Sequence, residues 1–290
     1  MDERILKRLD RAAGVEDIAG ALARLAPTDL QSLLLEVYQR RAENLTPKAL
    51  LNQYDQNRFV SPSPNNPAAL LAFDLRALSL IPDEYQPIEL SPVAPLGAAA
   101  VLGELSQDWA ISTARNSEVV SDSTNVLALE CALRRRHDRK TQVKLISSHR
   151  LIRGQDHGAD TPKHFRLLGL AAAGRGDAFA IEALVEQLGF FVRLLGDVRI
   201  MLTPLDGTTL AEDVRERMPG RVELDHSRST GRGYYARLCF KIYRGEIELG
   251  DGGFTEWTQT LLGDITERLL ISGIGTERAA APREESPDDQ

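Results

Sequence analysis

Cysteine and histidine are scarce in this chain of 290 residues. The two cysteines, Cys131 and Cys239, stand far apart inside apolar segments, and the five histidines show no metal-ligand spacing. A disulfide framework or a zinc site needs closely spaced sets of these residues. We therefore expect buried thiols in a reducing, cytoplasmic setting, and no metal site built by protein side chains alone.

Long apolar runs and an excess of basic residues are also lacking. No run approaches the ~20 residues that span a bilayer, and the opening MDERILKRLD is charged from its second residue, unlike a secretory signal. Lys and Arg number 35 against 42 Asp and Glu, which gives a net charge of −7. This balance predicts a cytoplasmic protein with no membrane partner, and it argues against broad nucleic-acid binding.

One local basic run, RRRHDRK at 134–140, departs from that balance. It lies at the predicted end of a helix, where cations stabilise the negative pole of the helix dipole. The same run could instead form a local site for RNA or another polyphosphate. The sequence favours the first interpretation and leaves the second open.

Cap and turn signals divide the chain. Helical spacing runs through the first sixty residues, with a capping-box pattern at Thr28 and a helix start at Thr46-Pro47. A run of proline, serine and asparagine follows. The predicted parts are a helical module at 1–60, a linker at 61–67, a core at 68–280 and a disordered acidic tail at 281–290.

Helical and alternating patterns interleave in the core. STNVLALECALRRR and DAFAIEALVEQLGFFVRLL have helical spacing, whereas VKLISSHRLI, HFRLLGLAAA and RLLISGIG are typical of strands. Because the strands come mostly in hairpin order, we predict an α+β fold with a mixed, mainly antiparallel sheet flanked by helices. Val143–Ile152 and Phe165–Ala173 should pair as one antiparallel hairpin.

Two patterns in the core suit a nucleotide. The hairpin carries Arg153 on one arm and Phe165 on the other, and a guanidinium can fork onto phosphate while a ring stacks on a base. GIGTER at 273–278 places glycines on a strand, where they allow close backbone approach, before Arg278. Taken singly, each pattern is more typical of a core phenylalanine, a surface ion pair and a strand-to-helix turn.

The order of these pieces resembles the three signature motifs of class II aminoacyl-tRNA synthetases. The closest resemblance is to the histidyl-tRNA synthetase branch and its paralogues, which include the ATP phosphoribosyltransferase regulatory subunit. The helix at 68–81 with YQPIELSPVAP resembles motif 1, LIRGQ with HFRLLGLAAAG resembles motif 2, and ISGIGTER resembles motif 3. GRGYYARLCFKIY is similar to the tyrosine-pair strand of histidyl synthetases, and the resemblance covers residues 66–280.

The resemblance implies a class II synthetase-like core that binds ATP with Mg²⁺ and forms a homodimer through motif 1. Carried over by position, Arg153 would contact the α-phosphate, Arg278 the γ-phosphate, and Phe165 would stack on adenine. The two arginines would be the catalytic residues. The remaining implied site residues are Gln155, Gly273 and Gly275 for ATP, and Glu118, Tyr234 and Tyr235 for an amino acid.

Three features depart from the histidyl pattern. Gln155 stands where motif 2 usually has glutamate, which keeps a carbonyl acceptor but loses the charge. The substrate-reading arginine is not at its usual place before Tyr234, and Arg228 or Arg232 could replace it only with a shifted register. The chain ends after motif 3, where histidyl synthetases continue into an anticodon-binding domain, so we do not expect ordinary tRNA charging.

Two functions follow as hypotheses. The first is an adenylating enzyme that activates an amino acid or related carboxylate and passes it to a protein or RNA acceptor. The second is a non-catalytic regulatory or binding subunit that acts through a partner protein. Arg153, Phe165 and Arg278 together favour ATP binding, and hence the first hypothesis.

Overall fold

The computed structural model describes residues 2–103, 106–155 and 163–281. Four helices come first, and they are α1 (Glu3–Ala13), α2 (Ile18–Ala23), α3 (Pro27–Glu43) and α4 (Pro47–Gln56). Thr46 caps α4, as predicted, because its side chain accepts a hydrogen bond from the Ala49 backbone N–H. The capping box at Thr28 was wrong, because α3 begins at Pro27 after Ala26 without a side-chain cap, and proline sets the first turn instead.

Seven further helices are described around the sheets. They are α5 (Pro67–Leu80), α6 (Ala98–Gly103), α7 (Ser123–His137), α8 (Gly176–Leu195), α9 (Leu210–Arg217), α10 (Trp257–Leu262) and α11 (Thr276–Ala280). A short 3-10 helix spans Gln107–Trp109. Among the described residues, no helix is long and apolar enough to cross a membrane.

Eleven strands form two sheets in the described part of the chain. They are β1 (Gln86–Pro87), β2 (Val93–Pro95), β3 (Ile111–Ser112), β4 (Ser117–Val119), β5 (Val143–Ile152), β6 (His164–Arg175), β7 (Arg199–Pro204), β8 (Val222–Leu224), β9 (Ala236–Arg244), β10 (Ile247–Thr255) and β11 (Glu267–Gly275). The large sheet has eight strands in the order β1-β5-β6-β11-β10-β9-β7-β8, and β2-β4-β3 form a small one.

Most neighbours in the large sheet are antiparallel. Only β1 with β5 and β7 with β8 run parallel among the described pairs. The predicted hairpin is confirmed, since β5 and β6 pair antiparallel from Val143 opposite Ala173 to Ile152 opposite His164. The chain therefore has the predicted α+β fold, with a mainly antiparallel sheet flanked by helices. The alternating segment DWAISTARN at 108–116, which is typical of a strand, forms only the short strand Ile111–Ser112.

The sheet has a hydrophobic core on each face. On one face, buried residues of α8, such as Phe190 and Phe191, pack with α5, α9 and α11. On the other face, α7 and α10 cover the sheet through Leu127, Cys131 and Trp257. Cys131 and Cys239 are both free thiols in this second core. Burial raises the pKa of both, so neither thiol suits nucleophilic chemistry.

The basic run at 134–140 is largely committed to ion pairs. Arg135 donates from Nε and Nη2 to the two carboxylate oxygens of Glu267, at 2.9 and 2.8 Å. Arg139 pairs with Asp264, and Arg134 with Glu130 one helical turn away. The run therefore ties the end of α7 to the beginning of β11, which weighs against a polyphosphate site there.

Removal of the Arg135 side chain should strongly destabilise the fold. Arg135 and Glu267 are 1% and 0% exposed. Arg135→Ala removes two charge-assisted hydrogen bonds from this buried carboxylate and leaves it the more exposed Arg175 at 3.1 Å and Arg139 at 3.7 Å, so we expect a cost of about 3 kcal/mol, at the lower end of the range for breaking a buried ion pair. Arg134→Ala is the matched control in the same helix, and its half-exposed pair should be worth about 1 kcal/mol or less. Denaturant unfolding of both variants measures the difference, and equal losses would contradict this account.

Candidate functional site

A cavity of about 1020 Å³ opens between the β5–β6 hairpin, β10, β11 and the segment before β9. Of the nine site residues predicted from the sequence, eight line it: Arg153, Gln155, Phe165, Tyr234, Tyr235, Gly273, Gly275 and Arg278. Glu118 does not. The cavity therefore brings residues from three distant parts of the chain to one place.

Arg153 follows the end of β5 and is held by the start of α7. Its Nε donates to the Ser121 carbonyl oxygen at 2.8 Å, and its Nη2 donates to Asp122 Oδ2 at 3.1 Å. The guanidinium carbon lies 5.1 Å from the centre of the Phe165 ring. Arg153 and Phe165 therefore form one unit at the mouth of the hairpin, with the cation over a face of the ring.

The end of β11 leaves space beside the backbone. A Cβ built on Gly275 would meet no described atom within 4 Å, and its φ of −69° is accessible to any residue. A Cβ on Gly273 would lie 3.2 Å from the Leu167 side chain, which is a tight contact. Gly273 thus serves close packing on β6, whereas Gly275 keeps the cavity open.

Arg278 and Glu277 lie on α11, which begins as β11 ends. Arg278 is exposed at the cavity edge and its Nη1 donates to the Glu248 carbonyl oxygen at 3.3 Å. Both Glu277 carboxylate oxygens accept from the Arg166 backbone N–H at 2.9 Å. This bond ties α11 to β6, so that Arg278 is displayed from a fixed turn.

The tyrosine pair lies just before β9, in a turn and an isolated bridge, and not on the strand as the sequence suggested. The Tyr234 and Tyr235 rings meet edge to face at 4.7 Å, and Tyr234 meets Trp257 in the same way at 5.6 Å. Burial raises the pKa of both phenols, so they stay protonated and can act as hydrogen-bond donors.

Glu118 is a structural carboxylate in this fold. It is buried, and its oxygens accept from the Gly97 and Ala99 backbone N–H groups at 2.8 and 2.9 Å and from Gln107 Nε2 at 2.7 Å. These three donors satisfy the carboxylate and brace the start of α6. Glu118 therefore does not line the cavity, where the resemblance had suggested a contact to an amino acid. The resemblance matched its position along the chain, which does not determine where its side chain points.

Four carboxylates line the cavity, and none was among the site residues predicted from the sequence: Asp122, Glu248, Asp251 and Glu277. Asp122 caps α7, with Oδ1 accepting from the Thr124 backbone N–H at 2.9 Å, while Oδ2 holds Arg153. The N-cap pattern SDSTN could have located Asp122. Burial raises the pKa of Asp251 above its usual value, and the nearby Arg228 opposes this shift.

Arg228 was considered in the sequence only as a shifted substitute, and it does line the cavity. Its side chain is 7% exposed, and Nη2 lies 3.6 Å from Asp251 Oδ2. Its Nη1 has no hydrogen-bond partner among the described residues. A buried guanidinium N–H without a partner is costly, so Arg228 is prepared for an acceptor from a ligand.

Lys163 joins the two ends of the loop between β5 and β6, because its Nζ donates to the Gln155 backbone carbonyl oxygen at 3.0 Å. The polar segment QDHGADTPK at 155–163, which the sequence predicts to be a flexible loop between the two arms, falls mostly on residues 156–162, which lie outside the described residues. His164 connects the hairpin to the predicted linker, since its Nε2 lies 2.6 Å from the Ser61 carbonyl oxygen. Asn65 of the same linker also lines the cavity.

Comparison with solved structures identifies the fold. The chain is similar to an ATP phosphoribosyltransferase regulatory subunit/histidyl-tRNA synthetase from Bacillus halodurans, with a TM-score of 0.61, 12% identity, and 77% of this chain and 81% of that chain covered. It is similar to apo histidyl-tRNA synthetase from S. aureus, with a TM-score of 0.56, 15% identity, and 73% and 64% covered. The chain thus has a class II synthetase-like catalytic fold.

A third similar structure widens the group. Pyrrolysyl-tRNA synthetase from Desulfitobacterium hafniense matches with a TM-score of 0.52 and 13% identity, over 80% of this chain and 73% of that chain. No family model matches the sequence, and no curated protein matches it either. At these identities the likeness establishes the fold, while function has to be argued from the cavity.

Proposed function

We propose that the protein is an ATP-dependent adenylating enzyme that activates an amino acid or related carboxylate. The observation that carries this proposal is the convergence of Arg153, Phe165, Gly275 and Arg278 on one cavity. Two guanidinium groups suit phosphate oxygens, an aromatic ring suits a base, and the open space at Gly275 suits a ligand against the backbone. The volume of about 1020 Å³ leaves room for a nucleotide and a second substrate.

The chemistry asks little of side chains beyond positioning and charge. The substrate carboxylate is already ionised, and its oxygen attacks the α-phosphorus of ATP while the bond to pyrophosphate breaks. Arg153 and Arg278 offset the charge that develops on the phosphate oxygens, so no general base is needed. Mg²⁺ would be held mainly by the ATP phosphates, and the Gln155 carbonyl offers a neutral oxygen near them.

The inner end of the cavity suits an amino acid. Asp122 and Asp251 are carboxylates that can hold an ammonium group, and this role passes to them from Glu118, which is occupied by its own donors. The unpartnered Nη1 of Arg228 can donate a hydrogen bond to a carboxylate or carbonyl oxygen of the ligand. Tyr234 and Tyr235 form the apolar wall between these charges.

Two observations favour the second candidate, a non-catalytic binding subunit. Gln155 lacks the charge that the family has at its position, and Arg153 is already paired with Asp122. One similar structure is described as an ATP phosphoribosyltransferase regulatory subunit/histidyl-tRNA synthetase. Such a subunit would bind a small ligand in the cavity and a partner protein elsewhere, without pyrophosphate release.

The predicted division of the chain, the acceptor and the compartment remain part of this proposal. The division into a helical module at 1–60, a linker at 61–67 and a core at 68–280 stays a prediction, and so does the tail, of which 282–290 lie outside the described residues. The acceptor is a protein or RNA, and the compartment is the cytoplasm. The described residues contain no group of three His, Cys, Asp or Glu side chains able to hold a metal ion.

Arg278→Ala should weaken ATP binding roughly ten- to hundred-fold, because it removes one charge-assisted contact to phosphate. Gly275→Val should obstruct the nucleotide while the fold tolerates it, because the space beside Gly275 is empty. Thermal shift with ATP and Mg²⁺ measures both effects. Arg221→Ala, an exposed arginine outside the cavity, is the control. A wild type that shows no shift at millimolar ATP would favour the binding subunit.

Leu75→Glu should convert the proposed homodimer into a monomer. Leu71, Leu75 and Leu78 lie along α5, and Leu75 is 72% exposed; this helix corresponds to motif 1, which packs across a two-fold axis in the family. Leu133→Glu, at an exposed position on α7, is the matched control and should leave the dimer intact. Sedimentation velocity tests both, and a wild type that stays monomeric at all concentrations would contradict the prediction.

A further inference from the structure

Asp122 divides its two carboxylate oxygens between different tasks. Oδ1 accepts from the backbone N–H and the hydroxyl of Thr124, at 2.9 and 2.7 Å, and so begins α7. Oδ2 accepts from Arg153 Nη2 at 3.1 Å. Asp122 and Arg153 are 15% and 29% exposed, so water screens their attraction only in part. The first task belongs to the helix, and the second serves only the arginine.

The same pair places Arg153 over Phe165. The guanidinium carbon is 5.1 Å from the ring centre, and Nε is fixed by the Ser121 carbonyl oxygen at 2.8 Å. In this arrangement the charge of Arg153 is neutralised by its ion pair with Asp122, and the guanidinium covers one face of the Phe165 ring. A phosphate that takes Arg153 would have to compete with a carboxylate already in contact with it.

We propose that Asp122 is a positioning residue that holds Arg153 away from phosphate. A substrate cation that replaces Arg153 on Asp122 then couples the binding of the two substrates. This inference rests on the proposed function. When an ammonium group takes Oδ2, Arg153 loses its charged partner while Nε keeps the Ser121 carbonyl oxygen, and the freed Nη2 turns towards the α-phosphate. The same movement uncovers Phe165 for adenine. Each substrate therefore binds more tightly when the other is present, as linkage requires.

Asp122→Asn isolates this role. Asparagine is as good an N-cap as aspartate, so the Oδ1 bond to Thr124 and the start of α7 remain. The amide has no charge to hold Arg153, so the arginine is released without any second substrate. We expect Mg²⁺–ATP to bind on the order of tenfold more tightly to this variant than to the wild type. Isothermal titration of the full chain measures it.

A double-mutant cycle separates release of Arg153 from a general change in charge. Asp122→Asn should tighten ATP binding with Arg153 present and have no such effect in an Arg153→Ala background. Asp251→Asn is the matched control, because it removes another carboxylate of the same cavity. Its effect on ATP affinity should be smaller, and it should be the same with Arg153 present and in the Arg153→Ala background. A wild-type chain and an Asp122→Asn variant that bind ATP equally would overturn the inference.

The remaining outcomes are also decisive. If Asp122→Asn also tightens ATP binding in the Arg153→Ala background, the effect comes from removing a negative charge near the phosphates. This result would overturn the coupling through Arg153. If neither the wild type nor Asp122→Asn binds ATP, the proposed function fails together with this inference. Thermal melting without nucleotide checks that the asparagine variant keeps its fold.

Discussion

The position of β11 in the middle of the sheet is the constraint on which the site depends. The strand lies between β6 and β10, and its first residue, Glu267, is buried against Arg135 of α7. Since pairing with β6 is continuous from Glu267 to Gly275, the start of the strand fixes where its end arrives. The far end of the strand brings Gly275 and Arg278 to the cavity. The ion pair at the start of β11 therefore helps to fix the position of the site residues at its end.

The cavity contains two pairs of opposite charges, and the two pairs differ in how far they satisfy each other. Arg153 and Asp122 neutralise each other by direct hydrogen bonding, whereas Arg228 and Asp251 stay 3.6 Å apart and keep unsatisfied capacity. A site of this kind can take a ligand with both a cation and an anion, which is the character of an amino acid. Under the proposed coupling, Arg153 becomes available to phosphate only after a substrate cation occupies Asp122, so the site would select its second substrate before it holds the nucleotide firmly.

The sequence predicted the hairpin and the fold class, and eight of the nine site residues that it suggested line the cavity, because these carry local patterns. Strand alternation, a glycine pair on an apolar strand and an arginine beside a turn are all visible in one dimension. Glu118 could not be judged in this way, since its three donors come from Gly97, Ala99 and Gln107 and only the tertiary fold assembles them. Asp122 was missed because the N-cap pattern SDSTN marks a helix start and does not show that the second oxygen turns to Arg153. Arg228 was considered only as a shifted substitute, because its direction is set by the loop before β9.

Pyrophosphate exchange into ATP, screened across the amino acids with Mg²⁺, tests the central claim most directly. The reaction requires reversible attack of a carboxylate on the α-phosphate, which a binding subunit does not perform. The account predicts exchange with at least one amino acid, and its loss in Arg153→Ala, which removes an arginine proposed to act on the chemical step. Absence of exchange with every amino acid, from a protein that still binds ATP, would contradict the enzyme and leave the cavity a binding site.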